Sequence, residues 1–287
     1  MQTKIIETPR DAMQGISKFI PTQKKIDYLN ALLDVGFNEI DYSSFVSPRA
    51  IPQLADSAVV ISKLQTHKSN SKIMATIGNL RGAERAFNHS QIDSVAFPFS
   101  ISEVFLQKNI RSDFKQGVQT IKDILSLCQA KNKELVLYIA MAFGNPYGDD
   151  WSIQILQDWM FRLQQMGVKT VMLADTTGDG TNKGISDSFS MLKKEFPKLE
   201  TGVHLHTTPD NWQEKVSAAY EAGCRRYDTA IGGFGGCPMS GKKLIGNLQT
   251  ENLLSYLEQQ GAMLQINKEA FQKAQSLAAF TFSTDVY

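Results

Sequence analysis

Cysteine is scarce in this chain of 287 residues. The three present, Cys128, Cys224 and Cys237, match neither a disulfide framework nor a Cys-x-x-Cys metal site. That scarcity fits a reducing compartment with free thiols, so a cytoplasmic location is expected. Charge of one sign is not in excess either: 30 Lys and Arg stand against 29 Asp and Glu, a formal net charge of +1. This argues against nucleic acid or an anionic membrane as the main partner, while leaving room for a local basic patch. No apolar run approaches ~18 residues, so no membrane-spanning helix is expected. The opening Met1-Gln2-Thr3-Lys4-Ile5-Ile6 runs straight into a strand pattern, with neither a signal-peptide core nor an Arg-rich transit segment. No linker, repeat or low-complexity segment divides the chain, and one domain over residues 1–287 is expected.

What is present is a regular alternation. Short β-rich runs occur at Lys4–Glu7, Glu39–Ser43, Lys72–Ile77, Ser94–Phe99, Leu135–Ala142, Thr170–Ala174, Gly202–His206 and Arg226–Ala230. Helix-length segments lie between them, among them Gln23–Val35, Asp113–Lys131, Ile153–Met166 and Trp212–Ala222. In Ile153–Met166 the residues Ile153, Leu156, Met160 and Leu163 recur every three to four positions and would face a sheet. The run from Leu135 to Ala140 is continuously apolar, as in a strand buried on both faces. Strands alternating with helices imply a parallel sheet, and eight such units fit a closed (β/α)8 TIM barrel. Two further helical stretches, Leu253–Gln260 and Lys268–Ala279, are expected to cap the barrel or serve oligomer contacts.

Such a barrel keeps its chemistry at the C-terminal ends of the strands. The polar residues there are Arg10 and Asp11, Asp41 with Ser44, Asn79, Asn145, Asp175 with Thr176, His204 and His206, and finally Cys237 and Asn247. His204 and His206 sit two apart in one strand and so project from the same face. Paired imidazoles suit a metal ion, although two histidines bonded to nearby carbonyls are the plainer alternative. The stretch from Gly236 to Lys243 matches a phosphate-binding loop until its last position, where Lys243 replaces the Ser or Thr that would hold magnesium. Its glycines fit a mobile lid better.

With these residues assembled, the sequence resembles the hydroxymethylglutaryl-CoA lyase family, metal-dependent TIM-barrel carbon–carbon lyases related to the isopropylmalate and homocitrate synthases. The resemblance runs from about Glu7 to Leu254. It rests on Pro9-Arg10-Asp11-Ala12-Met13-Gln14, Ser44-Phe45-Val46-Ser47-Pro48-Arg49, Asn79-Leu80-Arg81-Gly82, Asp175-Thr176, Val203-His204-Leu205-His206, Gly233-Phe234-Gly235-Gly236-Cys237-Pro238 and Gly246-Asn247-Leu248. It implies a divalent metal, Mg2+ or Mn2+, held by Asp11, His204, His206 and Asn247. It implies retro-Claisen cleavage of 3-hydroxy-3-methylglutaryl-CoA, or a closely related 3-hydroxyacyl-CoA, to acetyl-CoA and acetoacetate. Arg10 would stabilise the thioester enolate, and Cys237 would help protonate it. Asp41, Asp175 and His204 are the candidates for the base. Gln14, Ser44, Asn79, Tyr138 and Thr176 would meet the substrate, and Arg49, Lys108 and Lys242 the CoA phosphates. A homodimer is expected as the assembly.

The chain departs from the family pattern at Ala12, usually Gly; Asp41, usually Glu; Met172, usually Ser; Thr207, usually Asp; and Asn145, usually Cys. The spacing from Cys237 to Asn247, with Lys242 and Lys243 inside it, is one residue long for the family. None of these removes an implied metal ligand. Asp41 and Met172 fall where the acyl group should sit, which points to a different 3-hydroxyacyl group. A related aldolase or synthase acting on a 2-oxo acid, and a non-catalytic barrel binding metal and CoA esters, are the alternatives.

Overall fold

The computed structural model describes residues 2–236 and 245–282. Eight parallel strands close into one barrel in chain order: β1 Lys4–Glu7, β2 Glu39–Ser44, β3 Lys72–Thr76, β4 Ser94–Ser100, β5 Glu134–Ala140, β6 Thr170–Ala174, β7 Glu200–His204 and β8 Arg226–Thr229. Eleven α-helices among the described residues surround or cap it: α1 Pro9–Gln14, α2 Thr22–Val35, α3 Ser57–Lys63, α4 Leu80–Ala86, α5 Glu103–Ile110, α6 Phe114–Lys131, α7 Ile153–Gln165, α8 Asn182–Glu195, α9 Trp212–Glu221, α10 Thr250–Gln259 and α11 Lys268–Phe282. The (β/α)8 expectation therefore holds. No described helix is long and apolar enough to cross a membrane.

Local chemistry sets several boundaries. The side chain of Asp113 accepts from Gln116 N, and Gln116 returns a bond to the Asp113 backbone, so α6 starts with a capping box. β5 was expected to reach Ala142 but stops at Ala140, because Met141 takes φ +60° and leaves the strand. In α7, Leu156, Met160 and Leu163 are buried as expected, joined by Trp159. Ile153 departs from that stripe: it is 39 % exposed, being the first residue of the helix and the farthest along it from the other three.

Parallel neighbours share a face, and this arranges the lumen in levels. At the N-terminal end Arg226 pairs with Glu39 and Glu200, and Ser94 donates to Glu39. Opposing charges here compensate one another inside the barrel. Above them Ile6, Met74, Ala96, Val136, Tyr138 and Met172 pack as an apolar plug. Gly202 is required at this level, because a Cβ there would fall 2.5 Å from Met172 Sδ and 2.7 Å from Arg226 O. Val203 and Leu205 point outward into the main core, leaving His204 to the lumen. A bulge between Asp41 and Ser43 shifts the β2–β3 register, so that Ser44 and not Ser43 pairs with Thr76.

Candidate active site

The site forms where four segments meet above the apolar plug. Helix α1 follows β1 after Thr8, with Pro9 at its first position, where a missing N–H costs nothing. Its spacing sets Gln14 one turn on from both Arg10, four positions back, and Asp11, three positions back, so that it bonds each of them. β7 supplies His204. Beyond it the chain leaves the sheet: Thr207 N donates to Gly246 O at 2.9 Å, and Leu248 N to Leu205 O at 3.0 Å. This antiparallel contact sets His206 opposite Asn247. β7 thus ends two residues earlier than expected, because residues 205–207 pair with 246–248 in place of the barrel.

The four implied metal ligands are brought together. Ligand atoms of Asp11, His204 and His206 all lie within 4.8 Å of one another, and all three residues are buried. One Asp11 oxygen accepts from Arg10 Nη1 at 2.8 Å and Gln14 Nε2 at 2.6 Å. The other accepts from Asn247 Nδ2 at 2.7 Å and Gly236 N at 3.3 Å. Asn247 Nδ2 also donates to Phe234 O at 2.8 Å. Arg10 Nε reaches Asp41 at 2.7 Å, and Thr76 Oγ1 donates to the same carboxylate at 3.2 Å.

The donor set fits a divalent cation. His206 Nδ1 faces the Thr176 carbonyl at 3.1 Å, which accepts only, so this nitrogen carries the proton. His204 Nδ1 faces Asp228 Oδ2 at 3.0 Å and is protonated in the same way. Both Nε2 atoms then present lone pairs, and they lie 3.3 Å apart. Two facing lone pairs repel unless a metal ion stands between or beside them or a proton is shared between them. Asn247 Oδ1 is buried and has no hydrogen-bond partner among the described residues. Two imidazole nitrogens, one carboxylate and one amide oxygen make a mixed site open to further oxygen ligands, unlike a closed structural zinc site.

The neighbouring charges set how these groups titrate while no metal is bound. Burial works to raise the Asp11 pKa, but Arg10 and the two imidazoles outweigh it and bring it to about 2. Burial, aided by the neighbouring His204, brings His206 down to about 4. Burial opposes protonation of His204, yet the Asp228 hydrogen bond and charge prevail and its pKa rises. Burial lifts Asp41 to about 6, against the pull of Arg10.

The remaining expected residues fall out differently. Gln14 holds Asp11 and accepts from Arg10. Ser44 has a buried Oγ without a partner among the described residues. Tyr138 points its hydroxyl at Asp228, 2.8 Å away. Thr176 offers its carbonyl to His206 and its Oγ1 to Met141 N. Asn79 is not drawn in: it is exposed, and its side chain caps α4 by accepting from Gly82 N. Asp175 is likewise committed elsewhere, one oxygen to Lys215 at 2.6 Å and the other to Gly180 N at 2.8 Å. Asn145 braces its own loop through Tyr147 N and Asp149 O. Arg49 is exposed, and Lys108 lies over the Tyr147 ring at 4.1 Å. Cys237 and Lys242 lie outside the described residues.

Three residues at the site escaped the sequence reading: Thr76, Lys215 and Asp228. Asp228 left a signal. Arg226 and Asp228 alternate within a strand, which puts two charges on one face, and the apolar Tyr227 between them marks that face as the lumen.

The HMGL-like family model matches residues 2–278. The cytoplasmic 3-hydroxy-3-methylglutaryl-CoA lyase of Rattus norvegicus is 30 % identical over 259 residues, 90 % of this chain and 75 % of the relative. The mitochondrial hydroxymethylglutaryl-CoA lyase of Homo sapiens is 30 % identical over 274 residues, 95 % of this chain and 83 % of the relative. Among solved structures, an HMG-CoA lyase from Acinetobacter baumannii, in complex with coenzyme A and 3-methylmalate, superposes with a TM-score of 0.90 at 31 % identity, covering 99 % of this chain and 92 % of that one. With the barrel and its site in hand, these matches establish that the chain belongs to the HMGL-like family and is a carbon–carbon lyase of the hydroxymethylglutaryl-CoA lyase type.

Proposed function

We propose that the protein cleaves 3-hydroxy-3-methylglutaryl-CoA, or a closely related 3-hydroxyacyl-CoA, to acetyl-CoA and acetoacetate or the corresponding 3-oxo acid. The observation that carries this is the pair of imidazole Nε2 atoms 3.3 Å apart, set beside Asp11, Arg10 and the Asn247 Oδ1 that is unpartnered among the described residues. Asp11, His204, His206 and Asn247 would hold Mg2+ or Mn2+. Bound there, the ion would supply Lewis acidity that makes a substrate hydroxyl easier to deprotonate.

The chain's own groups account for the rest. The tertiary hydroxyl gives its proton to a carboxylate as the carbon–carbon bond breaks, leaving a ketone and a thioester enolate. Asp41 suits that role, since burial lifts it to about 6 and an effective base titrates near the working pH. Asp175 suits it poorly, its two oxygens being taken by Lys215 and Gly180. Arg10 stays charged and offers paired donors to the enolate oxygen. Its Nη2 has no partner among the described residues, while Nε and Nη1 are anchored on Asp41 and Asp11. Protonation of the enolate carbon completes acetyl-CoA; Cys237 is the expected donor.

Support for a CoA ester comes from the Acinetobacter relative, whose structure contains coenzyme A. Arg49 and Lys108 remain the described candidates for its phosphates. Met172 and Tyr138 line the floor beneath the site, so the acyl pocket ends on apolar and aromatic surface. The test is release of acetoacetate and acetyl-CoA from 3-hydroxy-3-methylglutaryl-CoA with Mn2+, and again with a chelator. Turnover that ignores the chelator, or none with this ester and a panel of bulkier 3-hydroxyacyl-CoA esters, would overturn the proposal.

A further inference from the structure

Lys215 is a charged residue that belongs to no expected site, yet it is buried to 3 % exposure on the inner face of α9. A lysine ammonium has three donors, and here each meets an acceptor: Asp175 Oδ2 at 2.6 Å, Gly178 O at 2.7 Å and His206 O at 3.0 Å. These acceptors come from three consecutive pieces of the C-terminal rim: the end of β6, the turn after it, and the segment beyond β7.

His206 depends on this ammonium by two routes. Its own carbonyl is gripped directly. Its imidazole Nδ1 donates to Thr176 O at 3.1 Å, and Thr176 lies in the turn that Lys215 clamps through Asp175 and Gly178. The turn is closed by further bonds, with Gly180 N donating to Asp175 Oδ1 at 2.8 Å and Gly178 N to Asp175 O at 3.0 Å. Asp175 N donates to His204 O at 2.9 Å, so the same carboxylate-bearing residue is tied to the other imidazole's main chain. Lys215 therefore fixes both the main-chain position of His206 and the acceptor that sets its ring orientation.

We infer that Lys215 is a positioning residue for the cation site, holding His206 Nε2 where it can face His204 Nε2. This rests on the metal reading proposed above. Partners that orient an imidazole ligand typically change metal affinity by about 10–100-fold when removed. Lys215 acts one bond further back on the ring and directly on the backbone.

The experiment is a Mn2+ titration of the full chain, followed by electron paramagnetic resonance of the bound ion, for wild type and three variants. Lys215→Met removes the ammonium but leaves the Asp175 charge buried. The double variant Lys215→Met with Asp175→Asn removes both charges, which the fold tolerates better. Lys25→Met is the control. Lys25 is as deeply buried, at 1 % exposure, and bonds Asp56 at 2.8 Å and Gln53 O, away from the site. Both Lys215 variants should bind Mn2+ about 10–100-fold more weakly, while Lys25→Met lowers the melting temperature and leaves Mn2+ affinity within about twofold of wild type. Folded Lys215 variants with wild-type affinity would overturn the inference. So would failure of both to fold, which would assign Lys215 to the fold as a whole. A wild type that binds no Mn2+ would instead remove the metal reading itself, an outcome distinct from the others.

Discussion

Asp228 receives the Nδ1–H of His204 at 3.0 Å from the adjacent strand β7, through the oxygen that also accepts the Tyr138 hydroxyl at 2.8 Å. The carboxylate settles which nitrogen of His204 carries the proton, and therefore which one is free as a ligand. Asp228→Asn keeps the shape but can turn an amide N–H toward Nδ1, which would move the proton to Nε2. Mn2+ affinity should fall by about 10–100-fold, measured by titration. Tyr138→Phe, which leaves the Asp228–His204 bond in place, should change that affinity by much less. Equal losses in the two variants would show that the tautomer is not what Asp228 controls.

Arg10 holds Asp41 with Nε at 2.7 Å, and Asp11 at 2.8 Å and Gln14 at 3.0 Å with Nη1. A lysine cannot span these partners from one nitrogen and still face the substrate. Arg10→Lys is expected to lower kcat for the 3-hydroxyacyl-CoA by about 10²–10³-fold, as for loss of a donor to a developing oxyanion. Stopped assays of acetyl-CoA release would measure it. A kcat within a few-fold of wild type would remove Arg10 from the enolate.

The barrel was legible because its signals are local. Each strand is a short β-rich run, and its neighbour in the sheet is the next run along the chain, so that only the closing β1–β8 pair joins distant segments. His204 and His206 were legible for the same reason. Residues set by contacts between distant segments were not. The bulge at Asp41 and Ser43 that turns Ser44 toward Thr76 leaves no sequence mark, and the six-residue α1 is too short to show a period. Asn79 reads like a rim residue until its side chain is seen capping α4. Lys215 sits beside Val216 on the buried side of α9, which hinted at a buried charge, but its three acceptors come together only in the folded rim.

Glu7 gives a pH dependence with a definite sign. It is fully buried outside the lumen, accepting from Ile231 N at 2.8 Å, Thr250 Oγ1 at 2.6 Å and Thr229 Oγ1 at 3.3 Å. Burial, partly offset by these bonds, lifts its pKa from 4.5 to about 8. Between those values the folded chain binds more protons at Glu7 than the unfolded chain does, so stability falls as pH rises. The slope from this one group approaches ~1.4 kcal/mol per pH unit at most. Glu7→Gln cannot ionise, so denaturant unfolding at pH 5 and pH 8 should show a smaller loss in the variant than in wild type. Identical losses would mean that Glu7 stays ionised across this range.

Gly235 brings the glycine-rich segment against two of the proposed metal ligands, Asp11 and Asn247. It adopts φ +97°, and a Cβ there would fall 2.7 Å from Asn247 Nδ2 and 2.7 Å from Asp11 O. Gly148 offers a matched control: φ +87°, with nothing within 4 Å of a Cβ. Both positions place an alanine in left-handed backbone, at a cost of roughly 1–2 kcal/mol. Gly148→Ala and Gly235→Ala should therefore both lower the melting temperature by a few degrees. Crowding of Asp11 and Asn247 belongs to Gly235→Ala alone, and that variant should also lose Mn2+ affinity, on the order of 10-fold. Affinity preserved in Gly235→Ala would mean that the segment can shift away without moving either ligand, and glycine would then be needed at this position only for its dihedral angle.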